Sequence, residues 1–211
     1  MATCLKSIVF LPPLQTLQQK VPDCFKNFSD TRIVLDCTEI SIETPSALQK
    51  KSLTYSSYKS HNTFKSLVGV SMTGAVVFLT NLWDGSASDV VHITRNCGLL
   101  ELLEEGDAVM VDKGFIHIQS DFKKKGVKLY CSPFMSAKRN QFSKSEVECT
   151  RMIASARIHV ERKMEQIKNF RILQGILPIS LSSKANAIFL ECSALTNLLP
   201  PEGILSMQFC I

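Results

Sequence analysis

The chain has no C-x-x-C pair, although its 211 residues include eight cysteines. Cys4, Cys24, Cys37, Cys97, Cys131, Cys149, Cys192 and Cys210 are scattered, which excludes zinc-finger ligand spacing and argues against a disulfide framework. Several sit inside apolar runs, as Cys37 and Cys192 do, and are expected to be buried free thiols of an intracellular protein. Long hydrophobic runs are also missing. Ile8 to Leu11 is cut short by Pro12 and Pro13 with no small-residue cleavage pattern after it, which argues against a signal peptide. Ala187 to Leu199 is too short to span a bilayer and contains Glu191, so it reads as a buried helix, and no membrane partner is expected. Internal repeats and low-complexity segments are absent as well.

An apolar fraction of 45% over 211 residues is enough for one domain with a sizeable core. The net charge of +5 is uneven: residues 121–171 hold 13 Lys+Arg against 5 Asp+Glu, a net +8, which leaves −3 for the rest. A basic stretch of that size suits a polyanion, because neutralising phosphates and releasing their counterions supplies most sequence-independent affinity for DNA. A solvated Lys-rich face is the plainer reading of the same charges.

Along the chain, Asp23 to Phe28 reads as a helical turn, and Ile33, Val34, Leu35, Ile40 and Ile42 as a first strand stopped by Pro45. Ser46 to Asn62 is polar and reads as a loop or insertion. Two β-rich runs from Thr63 to Thr80 meet at Thr73-Gly74 and predict a hairpin. A helix is expected from Val90 to about Glu105, capped by Ser88 or Asp89 and ended by Gly106. Ala108 to Val111 is a short strand, Ile116 to Lys125 a second helix, and Val127 to Cys131 a further strand. A long helix is expected from near Ser145, with Glu148 completing a capping box, to about Phe170; Ile153, Ala156, Val160, Met164 and Ile167 mark its buried face. Strand, hairpin, helix, strand, helix, strand and long helix together give an α/β class, a mixed sheet flanked by helices.

Three acids carry the chemistry. Asp36 lies in VLDCTEI and Asp112 in AVMVDKGF, each after a short β-branched run, and Glu161 lies in the helical RIHVERKMEQIK. Asp36 belongs on the first, central strand, and Asp112 at the end of its parallel neighbour, where ligands of open α/β sheets gather. The gaps of 76 and 49 residues mean that only the tertiary fold can join them. Hard divalent cations prefer oxygen ligands, and paired ions ~3.5–4 Å apart stabilise both the attacking and the leaving oxygen of an in-line phosphoryl displacement. Two strand carboxylates and a helix carboxylate therefore suggest a magnesium-dependent nuclease. Asp89 is a rival acid, favoured as a helix cap. Lys113, Arg157, Arg162 and Lys168 are candidate phosphate contacts, with solvated charge as the alternative. His61 and His159 are weaker candidates for positioning phosphate. Tyr55, Tyr58 and Trp83 are candidates for stacking on an unpaired base, with rim or core packing as the commoner use.

VLDCTEI, TPSALQKKSLTYSSYKSHNTFKSLVG, DGSASD, GDAVMVDKGF and ARIHVERKMEQIKNFRIL, in that order, resemble the DDE endonuclease domain of Harbinger-type transposases and of proteins derived from them. The resemblance runs from about residue 22 to 201 and leaves 1–21 as an N-terminal extension without assigned function and 202–211 as a C-terminal tail. It implies a ribonuclease H-like fold and a triad of Asp36, Asp112 and Glu161. It also implies two Mg²⁺ or Mn²⁺ ions, cleavage of a DNA phosphodiester by an activated water, and attack of the released 3′-hydroxyl on target DNA. Relatives often carry an upstream THAP zinc finger or helix-turn-helix, for which this chain starts too late. A separate DNA-binding protein supplying targeting is therefore an expected partner, as is a second copy of the chain, and the nucleus is the expected location, with the cytoplasm besides. The rival reading is a domesticated or truncated protein that keeps the fold as a non-cutting nuclear DNA-binding or protein-interaction module.

Overall fold

The structure, a computed structural model, describes residues 5–87, 90–133 and 141–199. Its seven strands are β1 (Thr31–Ser41), β2 (Tyr55–Ser56), β3 (His61–Val70), β4 (Val76–Leu79), β5 (Trp83–Asp84), β6 (Ala108–Met110) and β7 (Lys128–Tyr130). They form one mixed sheet in the order β2-β3-β1-β6-β7, in which β4 and β5 share the outer edge of β3 with β2. β3 is antiparallel to β1, whereas β6 is parallel to β1 and β7 to β6. This is a ribonuclease H-like α/β arrangement, as expected.

The helices follow the chain as α1 (Leu14–Gln18), α2 (Leu48–Thr54), α3 (Val90–Asn96), α4 (Leu99–Leu102), α5 (Gln119–Lys124), α6 (Lys144–Lys168), α7 (Arg171–Gln174) and α8 (Ala185–Leu195). They cover both faces of the sheet, which is why Ile33, Val34 and Leu35 are consecutive and all fully buried. Alternation sends Val34, Val68, Val70 and Met110 into a core beneath α6. It sends Ile33, Leu35, Val109 and Val111 into a second core with Ile93, Leu99, Phe115 and Phe122. The buried residues of α6 are Ile153, Ala156, Val160, Met164 and Ile167, the stripe read from the sequence.

Four local expectations change. The capping box of α6 is built by Ser143 and Glu146 rather than Ser145 and Glu148: Glu146 N donates to Ser143 Oγ and Ser143 N to Glu146 Oε2. The helix expected over 90–105 is two short ones, because Gly98 has φ +77, a left-handed value that ends α3 and redirects α4. The helix expected over 116–125 is a 3₁₀ turn, Lys113–Ile118, running into α5. The polar stretch 46–62 is not a loop but holds α2 and β2. No apolar periodicity announces them because polar side chains hold them in place: Asn62 Nδ2 donates to Lys51 O and to Thr54 Oγ1, both at 2.8 Å, with Asn62 and Thr54 buried.

Residues 5–21 lie on the domain. Leu17 is buried in the core under α6, and the Arg32 guanidinium, itself buried in β1, donates to Pro12 O. Six cysteines among the described residues are free thiols. No helix among those residues is long and apolar enough to cross a membrane. Ser88 and Asp89, proposed as caps, and the tail 202–211 lie outside the described residues.

Candidate active site

The register of the sheet brings the first two acids together. Val34 on β1 is paired in parallel with Met110 on β6, and both face α6. Two residues further along each chain, the side-chain alternation returns to the same face, at Asp36 and Asp112. α6 crosses above them, with Arg157 and Glu161 one turn apart on its flank.

Asp36 is half-buried, and its Oδ1 accepts a 2.9 Å hydrogen bond from Cys37 N. Burial pushes its carboxyl above the ordinary value, and the negative charges of Asp112 and Glu161 push the same way. The Cys37 N–H and the Arg157 guanidinium pull against them. Asp36 thus feels the charges of carboxylates on two other segments. Arg157 Nη1 donates to Asp112 Oδ1 at 2.8 Å, with the arginine side chain 17% exposed and the aspartate 52%. Arg157 Nε is buried with no hydrogen-bond partner among the described residues. Glu161 is exposed.

Around the acids stand further charges. Lys168 is half-buried, and burial, followed by the charge of Lys59, lowers its pKa; Asp36, Glu39 and Cys37 oppose that shift, which puts Lys168 at the flank of Asp36. Glu39 is held by Thr63 Oγ1 at 2.7 Å and by Lys65 at 3.7 Å. The Cys37 thiol is pushed up to about 12 by burial and then by Asp36, so it stays protonated. Cys131, at the end of β7, is raised by burial and then by Asp112.

The other candidates separate. Lys113 follows Asp112 directly and is exposed, 6.0 Å from the Phe142 ring centroid. Arg162 lies on the opposite flank of α6, with His159, Lys163, Thr73 and Asn197, beside a groove of about 240 Å³. His159 Nε2 is 3.1 Å from Cys24 Sγ and its ring 5.7 Å from that of Phe25, a packing role. His61 bridges Ser41 Oγ and Lys59 O. Trp83 is half-buried edge-on to His92, while Tyr55 is 45% and Tyr58 82% exposed.

The donor set of three carboxylates suits a hard divalent cation. Among the described residues no three His, Cys, Asp or Glu side chains are drawn close enough to hold an ion as they stand. Arg157 instead neutralises part of the cluster. That role was missed in the sequence, where Arg157 read as a phosphate contact or a solvated charge; its position one turn before Glu161 was the available signal. The proximity of Lys59 to Lys168 had no local signal at all.

The sequence profile of one family, described as DDE superfamily endonuclease, matches residues 35–197, a span that contains all three acids. Among curated proteins there is no match.

Proposed function

We propose, from the premise that this chain belongs to the DDE superfamily endonuclease family, that it cuts DNA in the manner of the Harbinger-type transposases. Nuclease domains of this kind bind DNA, and the family generally uses divalent metals. The supporting observations are that Arg157, one turn from Glu161 on α6, pairs with Asp112 at 2.8 Å, and that burial, with the charges of Asp112 and Glu161 behind it, raises the Asp36 pKa.

In this reading Asp36, Asp112 and Glu161 hold two Mg²⁺ or Mn²⁺ ions. Such ions, when bound, lower the pKa of an attacking water and stabilise the departing oxygen. The residues themselves do the rest. Asp36, half-buried, has one carboxylate oxygen oriented by the Cys37 N–H. Asp112, half exposed and paired with Arg157, would hold the cation from the solvent side. Arg157, Lys168 and Lys113 supply cationic groups for phosphate oxygens beside the acids. Arg162 belongs to a separate flank and contributes only to the basic field. Attack of the released 3′-hydroxyl on a target strand, pairing with a second copy, targeting by a separate DNA-binding protein and a nuclear location complete the proposal.

Two observations favour a second reading. The Arg157–Asp112 ion pair and the lack of a ready three-ligand group among the described residues also suit a domain that keeps its fold without cutting. Plasmid nicking separates the two. The nuclease converts supercoiled plasmid to nicked circles with Mn²⁺ or Mg²⁺, stops with chelator, and loses the activity in Asp36→Asn. Absence of nicking with either metal, together with unaltered DNA binding, overturns the nuclease in favour of the binding module.

A further inference from the structure

The segment 47–60 carries Lys50, Lys51 and Lys59 and no acidic residue. It is folded, not loose. Ser56, fully buried, accepts the Lys59 N–H on its Oγ at 3.3 Å, and the His61 ring bridges Lys59 O and Ser41 Oγ, each at 2.8 Å. Ser60 has φ 59, the one non-glycine residue with positive φ among those described. A left-handed conformation on a residue with a Cβ is strained and persists only where the surroundings hold it.

What this turn between β2 and β3 presents is Tyr58, 82% exposed, with Lys59 Nζ 5.0 Å from its ring centroid. Held out by a locked turn beside Lys59, the ring is left largely uncovered by the described residues. Its neighbourhood leads to the acids: Lys168 is close enough to Lys59 on one side and to Asp36 and Glu39 on the other for each charge to shift its pKa. The turn is also tied to the strand of the first acid, because the His61 ring that bonds Lys59 O bonds Ser41 Oγ at the end of β1, which carries Asp36.

We propose that Tyr58 and Lys59 form a binding surface for an unpaired DNA strand next to the cleavage site, with the Tyr58 ring stacking on a base and Lys59 taking a phosphate. The inference rests on the nuclease reading and adds the form of substrate. A base inside a duplex already has both faces stacked, whereas an unpaired base offers one to an exposed ring, without regard to its identity. The end of a strand that has been melted or cut is such a substrate.

The test is fluorescence anisotropy of the full chain with labelled oligothymidylate and with a labelled duplex, in chelator so that neither is cut. Tyr58→Ala is expected to weaken the single strand about 5- to 150-fold, the equivalent of ~1–3 kcal/mol for one stacked base, and the duplex by less than about twofold. Tyr58→Phe, which keeps the ring, retains wild-type affinity. Lys59→Ala lowers the slope of log affinity against log salt by about 0.7, one phosphate's share on a single strand. Equal single-strand affinity of Tyr58→Ala and wild type, or equal losses on single strand and duplex, overturns the inference while leaving the nuclease reading in place. Wild-type protein that binds neither DNA overturns both.

Discussion

Removing the carboxylate of Asp107 should destabilise the fold far more than a typical substitution does. Asp107 Oδ2 accepts from Arg32 Nη1 at 2.6 Å and from Glu104 N at 2.8 Å, with the arginine side chain 6% and the aspartate 4% exposed. In Asp107→Ala, Arg32 keeps, among the described residues, only Pro12 O and the 78%-exposed Glu104. A cation is left buried without its main partner, which costs about 3–5 kcal/mol, a large part of the ~5–15 kcal/mol total of an ordinary domain. With a urea dependence of ~1–3 kcal/mol/M, the unfolding midpoint should fall by at least ~1 M. Arg32→Met with Asp107→Leu, which removes both charges, should recover most of that loss, because the desolvation cost disappears with the pair. A loss below ~1 kcal/mol in the single variant, or a double variant less stable than the single, would refute the reasoning. The pair also matters for the site. Arg32 lies on β1 four residues before Asp36, so loosening β1 from the β6 side also loosens the meeting of Asp36 with Asp112.

Arg157→Met should tighten Mn²⁺ binding roughly 2- to 5-fold in calorimetry, because it removes a partly exposed cation that competes for Asp112; weaker or equal binding contradicts that competition. Ser143→Ala removes the capping box of α6 and should cost ~1 kcal/mol, a fall of about 2–4 °C in melting temperature. The Tyr130 hydroxyl donates to both Asp30 oxygens, and its pKa is pushed up to about 12 by burial and then by Asp30. Because the folded value is raised, its contribution to stability is full below ~10, the unfolded value, and is lost as pH rises toward about 12. Asp30→Asn removes the charge and should bring one of the three tyrosines back toward the ordinary value in a titration of tyrosinate absorbance.

Much of the architecture was readable because burial leaves a period. The five apolar positions of α6 recur at helical spacing, and all five are buried; Ile33 to Leu35 is apolar throughout because helices cover both sheet faces. Asp36 was readable as a central-strand residue, Asp112 as a strand-end residue and Glu161 as a helix-edge residue, and the family resemblance grouped them. What escaped was held by polar contacts. α2 is fixed by Asn62 and Thr54 side chains, which look like loop residues in one dimension. The Ser143 and Ser145 alternatives for the α6 cap both have a glutamate three residues on, and only backbone geometry chooses between them. The Arg157–Asp112 pair joins residues 45 apart, and Arg157 has Glu161 as a nearer acid in sequence.

The central claim is that Asp36, Asp112 and Glu161 make one site for divalent cations. Thermal unfolding of the full chain with and without Mn²⁺ tests it most directly. At about 100 times the dissociation constant, a single bound ion adds ~2.7 kcal/mol, or roughly 5–10 °C for a chain of this size. The account predicts that shift in the wild type and its loss in both Asp36→Asn and Asp112→Asn. An equal shift in the wild type and both variants, or no shift in any of them, would contradict it.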